Sequence, residues 1–414
     1  MTIKSTSGRL ANIAVVGAGN MGSSIAVSLS QSGLPVKLID CSASALASGL
    51  KRIEKIWNSL EQKAQKNQNV EMLADIKSWR SLICPIQSYA ELHDADLVIE
   101  AVSEDIEIKK IILQTLDSTC QSKTILASNT SSFSITQLAS FTQRPEQVIG
   151  MHFFNPAHIM NLIEVIPGLN TAPAVTETII DFAKHLGKLP IKVEECASFL
   201  VNRLLSRYLN EAIFILQAGI ADVKTIDEAA CQMLMPIGPL QLRDMNGLDI
   251  GLNVARFNYN EYGARFQPPH LLEALVKNNF SGQKTGAGFY QYKEGERKPE
   301  SVNQSLNEII QSVNSDTTPK GSANQLPPFE PIQLFLPMIN ETFLLLQEKI
   351  AAPQDIDPAL KAGLGMRQGL IEFAFNYGLE NCLIKIENLY QAYGERFRPA
   401  PLLKRYVWAG KKSL

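Results

Sequence analysis

"VVGAGNMG", residues 15–22, carries two β-branched residues into three glycines spaced G-x-G-x-x-G, at Gly17, Gly19 and Gly22. A strand that turns sharply into a helix accounts for each glycine. The first makes the tight turn, the second lets backbone approach a pyrophosphate, and the third allows the helix to pack closely on the strand, its N-terminus facing the anion. The next strand-like run, "PVKLID", ends at Asp40, 18 residues after Gly22. A carboxylate there accepts hydrogen bonds from ribose hydroxyls and repels a 2′-phosphate. No arginine follows in "CSAS", so NAD is expected rather than NADP. The expected cofactor contacts from this region are Gly17, Gly19, Asn20, Met21, Gly22 and Asp40.

From this loop to Pro190, short β-branched runs ("ADLVIEAV", "TILAS", "QVIGMHFF", "LIEVIPG", "LPIKV") alternate with stretches whose apolar residues recur every three or four positions. That alternation predicts a mostly parallel sheet covered by helices on both faces. Beyond about Cys196 the strand pattern stops and helices are expected, broken at "GPLQLRD", "NGLD" and "FQPPH". Residues 294–331 are polar and rich in Ser, Asn and Pro, as a connector is, with one short helix expected near Leu306 to Val313. After it the chain repeats itself. Asn210-Glu211 recurs as Asn340-Glu341, Ile226-Asp227 as Ile356-Asp357, and "EYGARFQPPHLL" (261–272) as "AYGERFRPAPLL" (392–403). The offset is 130 residues at first and 131 later, which marks a duplicated helical domain. The expected fold class is therefore α/β plus all-α. A Rossmann-type domain (1–195) precedes a helical domain (196–293), a connector (294–331) and a second, degenerate helical copy (332–414).

A chain of 414 residues exceeds what one core serves, and 45% apolar residues suffice for several. A net charge of −2 offers no reason to expect nucleic acid or an anionic membrane as partner, and no apolar run is long enough to span a bilayer. The six cysteines are scattered without close pairs. Neither a disulfide framework nor a metal site is expected, and a reducing, cytoplasmic setting fits. A strand beginning by Asn12 leaves no room for a targeting peptide in the expected reading.

Three polar clusters fall at the carboxyl ends of strand-like runs, where ligands bind in such sheets. Glu104 and Lys109 follow "DLVIEAV"; Asn129, Thr130, Ser131 and Ser132 follow "TILAS"; His152, Asn155 and Pro156 lie in "HFFNP". Each also has an ordinary reading: a solvated helix start, a helix cap, a core histidine with a backbone partner. Glu164, twelve residues after His152, stands in another apolar run.

The combination "VVGAGNMG", "LVIEAVSE", "SNTSS", "HFFNP", "LIEVIPG", "FLVNRLL", "GPLQLRDMNGLD" and "KTGAGFYQY", in this order over residues 12–293, resembles the L-3-hydroxyacyl-CoA dehydrogenases. The second helical copy resembles the long form of that family. The resemblance implies that His152 is the catalytic base with Glu164 as its carboxylate partner, and that Ser131 and Asn202 contact the substrate oxygens. It implies NAD contacts from Glu104, Lys109 and Lys284 besides the glycine loop and Asp40. Asn155 is a further expected substrate contact, and Lys63 is the expected CoA-facing cation. Where the family usually has Pro-Gly ahead of "FLVNR", this chain has Ala197-Ser198, and Ile56 stands where a serine is usual.

The implied reaction is reversible, NAD-dependent oxidation of a (3S)-hydroxyacyl-CoA, with the acyl-CoA thioester as the partner molecule. An imidazole titrating near neutrality suits the alcohol's proton, and a carboxylate beside it fixes the tautomer. A free β-hydroxy acid as substrate, or a non-catalytic NAD-binding protein, are the alternatives. The repeat offset aligns Asn202 with Ile332 and Arg203 with Gln333, so only the first copy keeps the polar pair. The second copy is expected to pack on the first as a partner subunit's domain would, giving a monomer or a homodimer.

Overall fold

The computed structural model of the chain describes residues 10–296, 298–317 and 328–414. It divides into two compact units, the first ending at Cys196 and the second running Ala197–Leu414.

The first unit is an eight-stranded sheet. In chain order the strands are β1 (Ile13–Val16), β2 (Val36–Ile39), β3 (Ile83–Pro85), β4 (Leu97–Glu100), β5 (Ile125–Ser128), β6 (Val148–Phe153), β7 (Leu162–Pro167) and β8 (Leu189–Lys192). Across the sheet they lie in the order β3-β2-β1-β4-β5-β6-β7-β8. Every neighbouring pair is parallel except β6 with β7. The order reverses direction between β1 and β4, the switch point beyond whose carboxyl ends such sheets bind ligands. Helices α1 (Asn20–Gln31), α2 (Ala43–Lys66), α3 (Val70–Arg80), α4 (Ile106–Thr119), α5 (Ile135–Ala139) and α6 (Pro173–His185) complete the unit. The central strands are fully buried, which is why they read as continuous apolar runs. Strand β3 was not expected: "ICP" is three residues long, mostly exposed, and carries no such run. Caps fix the helix starts, with Ser42 accepting from Ala45 N on α2 and Asp105 from Glu107 N and Ile108 N on α4.

The second unit is helical and repeats internally. The first copy contains α7 (Val201–Gln217), α8 (Val223–Met233), α9 (Pro239–Asn246), α10 (Leu248–Tyr262) and α11 (His270–Lys277). A two-residue strand β9 (Tyr290–Gln291) pairs antiparallel with β10 (Ser301–Val302), and α12 (Leu306–Thr317) follows and packs on α11. The second copy contains α13 (Leu336–Glu348), α14 (Pro353–Leu364), α15 (Leu370–Tyr377), α16 (Leu379–Tyr393) and α17 (Pro401–Trp408). Duplication extends to single bonds. Asp227 accepts from Leu240 N and Gln241 N, and Asp357 from Ile371 N and Glu372 N. Gly247 and Gly378 open their helices at φ +91° and +96°.

Part of the expected connector is thus folded. Leu306 and Val313 are buried, and Asn303 donates to Gly288 O at 2.7 Å. Residues 318–327 lie outside the described residues.

The two copies face each other through charge. Arg203 reaches Glu341 at 2.7 Å and Glu348 at 2.6 Å. Glu211 of the first copy pairs with Arg396 of the second at 3.1 Å, while Arg265 of the first pairs with Glu341 of the second at 3.4 Å. These are the same two repeat positions exchanged, the reciprocity of a two-fold interface. Arg207 donates to the carbonyls of Arg265 and Arg396, again equivalent positions. Its own counterpart is Pro337, so one arginine serves both halves.

Candidate active site

At the β1–α1 turn Gly17 adopts φ +102°, and a Cβ there would lie 2.5 Å from Ala101 O. A Cβ on Gly22 would lie 1.7 Å from Gly17 O, whereas one on Gly19 would meet nothing within 4 Å. Two glycines are therefore required by packing, and the third faces open space. Helix α1 begins at that space with no side-chain cap and no acidic residue in its first turn. An anion placed there meets unpaired N–H groups and the positive end of the helix. Asp40, at the end of β2, accepts from Ala18 N at 2.6 Å and from Cys41 N at 2.7 Å. Its hydrogen bond and negative charge raise the Cys41 thiol pKa. These groups fit the phosphates and ribose of a dinucleotide. Arg52 on α2, outside the "CSAS" window read for a cation, donates to Ala18 O at 3.3 Å.

A second cluster joins the ends of β4 and β5. Glu100, the last residue of β4, is fully buried. It accepts from Lys109 Nζ at 2.8 and 3.0 Å, from Ser128 Oγ at 2.6 Å and from Val102 N at 2.8 Å. Lys109 is itself 1% exposed, so it is not a solvated helix residue. It also reaches Glu104 at 3.2 Å. Glu104 accepts from Thr130 Oγ1 (2.6 Å), Ser131 N (2.9 Å) and Ser132 Oγ (2.9 Å), which shapes the turn that presents Ser131. Burial alone would raise the Glu104 pKa, but the Lys109 ammonium and these donors outweigh it and the net shift is downward. Sequence reasoning missed Glu100. Its only signal was an acidic residue ending an otherwise apolar strand.

The third cluster crosses the antiparallel pair. His152 and Glu164 are direct partners in the β6–β7 register. His152 Nδ1 lies 2.7 Å from Glu164 Oε2, with His152 6% and Glu164 0% exposed. A carboxylate accepts only, so Nδ1 carries a proton, and the tautomer this sets for the uncharged ring has its lone pair on Nε2. Asn129 Oδ1 accepts from Phe153 N at 2.9 Å, tying the β5 end to β6. Asn155 is exposed just beyond β6. His158 points away from this pair: its Nδ1 lies 2.8 Å from Ser24 Oγ on α1, and burial, then the charge of Lys188, lowers its pKa.

The first unit therefore gathers the glycine loop and Asp40, the Glu104–Lys109–Ser131 cluster, and the His152–Glu164 pair at the carboxyl ends of its strands. Lys63 is exposed near the C-terminus of α2, and Ile56 packs against the core of this unit. Asn202 and Lys284 belong to the second unit. Asn202 is half-buried in the first turn of α7, and Lys284 pairs with Asp249 at 2.6 Å.

No helix among the described residues is long and apolar enough to cross a membrane. The family profile described as "3-hydroxyacyl-CoA dehydrogenase, NAD binding domain" matches residues 12–196. The profile for the C-terminal domain of the same family matches twice, at residues 199–292 and 332–414. Among curated relatives, the fatty acid oxidation complex subunit alpha of Shewanella amazonensis is 33% identical over 97% of this chain, and that of Vibrio cholerae 32% over 97%. The chain spans 56% of the length of each. Among solved structures, the 3-hydroxybutyryl-CoA dehydrogenase of Escherichia coli superposes with a TM-score of 0.83 at 28% identity, covering 97% of this chain and 99% of that one. The (S)-3-hydroxybutyryl-CoA dehydrogenase of Ralstonia eutropha superposes with a TM-score of 0.65 at 39% identity, covering 69% of this chain and 100% of that one. With one NAD-binding domain and two helical C-terminal domains matched along its length, the chain belongs to the 3-hydroxyacyl-CoA dehydrogenase family.

Proposed function

We propose that this chain oxidises (3S)-hydroxyacyl-CoA thioesters reversibly to 3-oxoacyl-CoA, with NAD as cofactor. The observation that carries the reading is the buried His152–Glu164 pair, 2.7 Å apart across adjacent strands at the edge where such sheets bind ligands. Bound nicotinamide supplies the hydride acceptor. The chain's own residues supply the rest. The loop Gly17 to Gly22 and the α1 N-terminus hold the pyrophosphate, and Asp40 holds the adenosine ribose. Glu104, Lys109 and Lys284 border the cofactor; Lys109 does so through Glu104, because its ammonium is already engaged. His152 takes the hydroxyl proton on Nε2. Glu164 keeps the ring in that tautomer and stabilises the imidazolium. Ser131 and Asn202 hydrogen-bond the substrate oxygens as charge develops, a preorganised electrostatic role. Asn155 borders the substrate, and Lys63 faces the CoA. The reciprocal Arg–Glu pairs support the second copy acting in place of a dimer partner.

The test follows NADH oxidation with acetoacetyl-CoA and with free acetoacetate. Activity with the thioester alone is expected. His152→Gln lowers kcat by about 10²–10⁴-fold while NADH binding is retained. Unchanged turnover in that variant removes the base assignment, and turnover of the free acid alone removes the substrate class.

A further inference from the structure

Helix α7 delivers Asn202 in its first turn, and the chain enters that helix by an unusual backbone path. Ser198 and Phe199 stand at φ +61° and +52°, the only adjacent non-glycine pair with positive φ among the described residues. This region is sparsely populated for residues with a Cβ and persists only where the surroundings over-determine it.

Here they do. Ser198 Oγ donates to Asn258 Oδ1 at 2.7 Å, and Asn258 Nδ2 donates to Ser206 Oγ at 3.2 Å. Asn258 is 0% and Ser198 1% exposed. One turn along α10 from Asn258, Tyr262 OH donates to Ala197 O at 2.9 Å. The Arg203 guanidinium, anchored by Glu341 and Glu348, lies 4.2 Å from the centre of the Tyr262 ring. Arg203 N closes the turn on Ser198 O at 3.2 Å.

The second copy is an internal control. By the repeat offset Asn202 becomes Ile332, and the clamp has gone with it: Ser198 becomes Pro328, Ser206 becomes Leu336 and Asn258 becomes Leu389. Proline holds φ near −65° and cannot take the left-handed path. Tyr262 persists as Tyr393, so the general helical framework does not require the polar trio. All three polar side chains are present in the copy that has the asparagine and absent from the copy that does not.

We propose that Asn258 is a positioning residue for the reaction. By holding Ser198 in the left-handed region it sets where α7 begins, and so where the Asn202 amide stands. This rests on the reading of Asn202 as a substrate-oxygen contact. The chain thereby does with a buried hydrogen bond what a glycine at 198 would do by lacking a Cβ.

Four variants of the full chain test this, assayed with acetoacetyl-CoA and NADH: Asn202→Ala, Asn258→Ala, Ser198→Gly and Ser198→Gly/Asn258→Ala. Asn202→Ala is expected to lower kcat about 10²-fold. Asn258→Ala is expected to lower kcat about 10-fold or more through misplacement, with the KM for NADH unchanged. In the double variant glycine takes the left-handed path unaided, and kcat returns to within about threefold of Ser198→Gly alone. A purely structural Asn258 would show the same loss in both backgrounds, and that result overturns the proposal. An unimpaired Asn258→Ala beside an impaired Asn202→Ala overturns the clamp alone. An unimpaired Asn202→Ala overturns the reading of Asn202 and the clamp with it. If Asn258→Ala does not fold, Tyr262→Phe, which removes one hydroxyl, decides: a smaller fall in kcat, reversed by Ser198→Gly, supports the proposal, and no fall overturns it.

Discussion

Replacing Glu341 with leucine removes one buried carboxylate at the junction of the two helical copies. Glu341 is 0% exposed and faces three guanidiniums: Arg203 at 2.7 Å, Arg265 at 3.4 Å and Arg207 at 3.8 Å. Burial already lowers the Arg207 pKa to about 10, with Glu341 and Glu211 opposing that shift. Glu341→Leu keeps similar volume but leaves those cations with less compensation. Arg203 retains Glu348; Arg207 and Arg265 lose a shared counter-charge. Removing one partner of a buried ion pair costs about 3–5 kcal/mol. For a unit of roughly 200 residues each kcal/mol moves the midpoint by about 2–4 °C, so a loss of about 6–20 °C is expected. Glu348→Gln is the control. That side chain is 37% exposed, and screening limits its pair to about 1 kcal/mol or less. The assay is calorimetric or far-UV melting of the full chain, following the transition of the helical unit. A Glu341→Leu melt within about 2 °C of the parent would refute the view that charge exchange across the copies stabilises this unit.

Asp227 and Asp244 make the first helical copy sensitive to pH. Burial pushes Asp227 up to about 6 and Asp244 up to about 7, against the backbone and tyrosine donors that hold them down. In the fold both keep protons at pH values where the unfolded chain, near 3.8, has released them. Their contribution is therefore complete below about pH 4 and is lost as pH rises through about 6 to 7. Melting across that window should show the decline, and Asp244→Asn should remove its share of the slope. Asp40→Ala weakens NAD binding and raises the NADP-to-NAD preference about 10-fold or more, because a charge-assisted acceptor worth about 1.5–3 kcal/mol is lost and a repulsive charge goes with it. Titration of both cofactors measures this, and an unchanged preference would free Asp40 of the role.

Patterns that survive without tertiary context were legible in the amino-acid sequence. The glycine spacing demands a turn at Gly17 and tight packing at Gly22 whatever surrounds it, and both requirements appear in the fold. Buried parallel strands read as apolar runs because both faces are covered. The duplication was visible because residues recur in order at an offset that shifts by only one residue, and helix matches helix down to the Asp227 and Asp357 caps.

Tertiary structure decided what depends on register and on contacts remote in the chain. His152 and Glu164 stand twelve positions apart, a spacing that implies no contact until β6 and β7 run antiparallel in one particular register. Lys109 read as a helix-start cation; only the fold supplies Glu100 beneath it, on a neighbouring strand. The exchange of Glu211 and Arg265 for Glu341 and Arg396 needs two copies facing across a common axis, which no offset in a sequence specifies. The left-handed path at Ser198-Phe199 was equally hidden, since neither residue advertises it and the groups that hold it, Asn258 and Tyr262, come from another helix. Local patterns therefore name the elements and the residue types at their ends, and long-range packing, which a linear string does not encode by spacing, decides which of those residues meet.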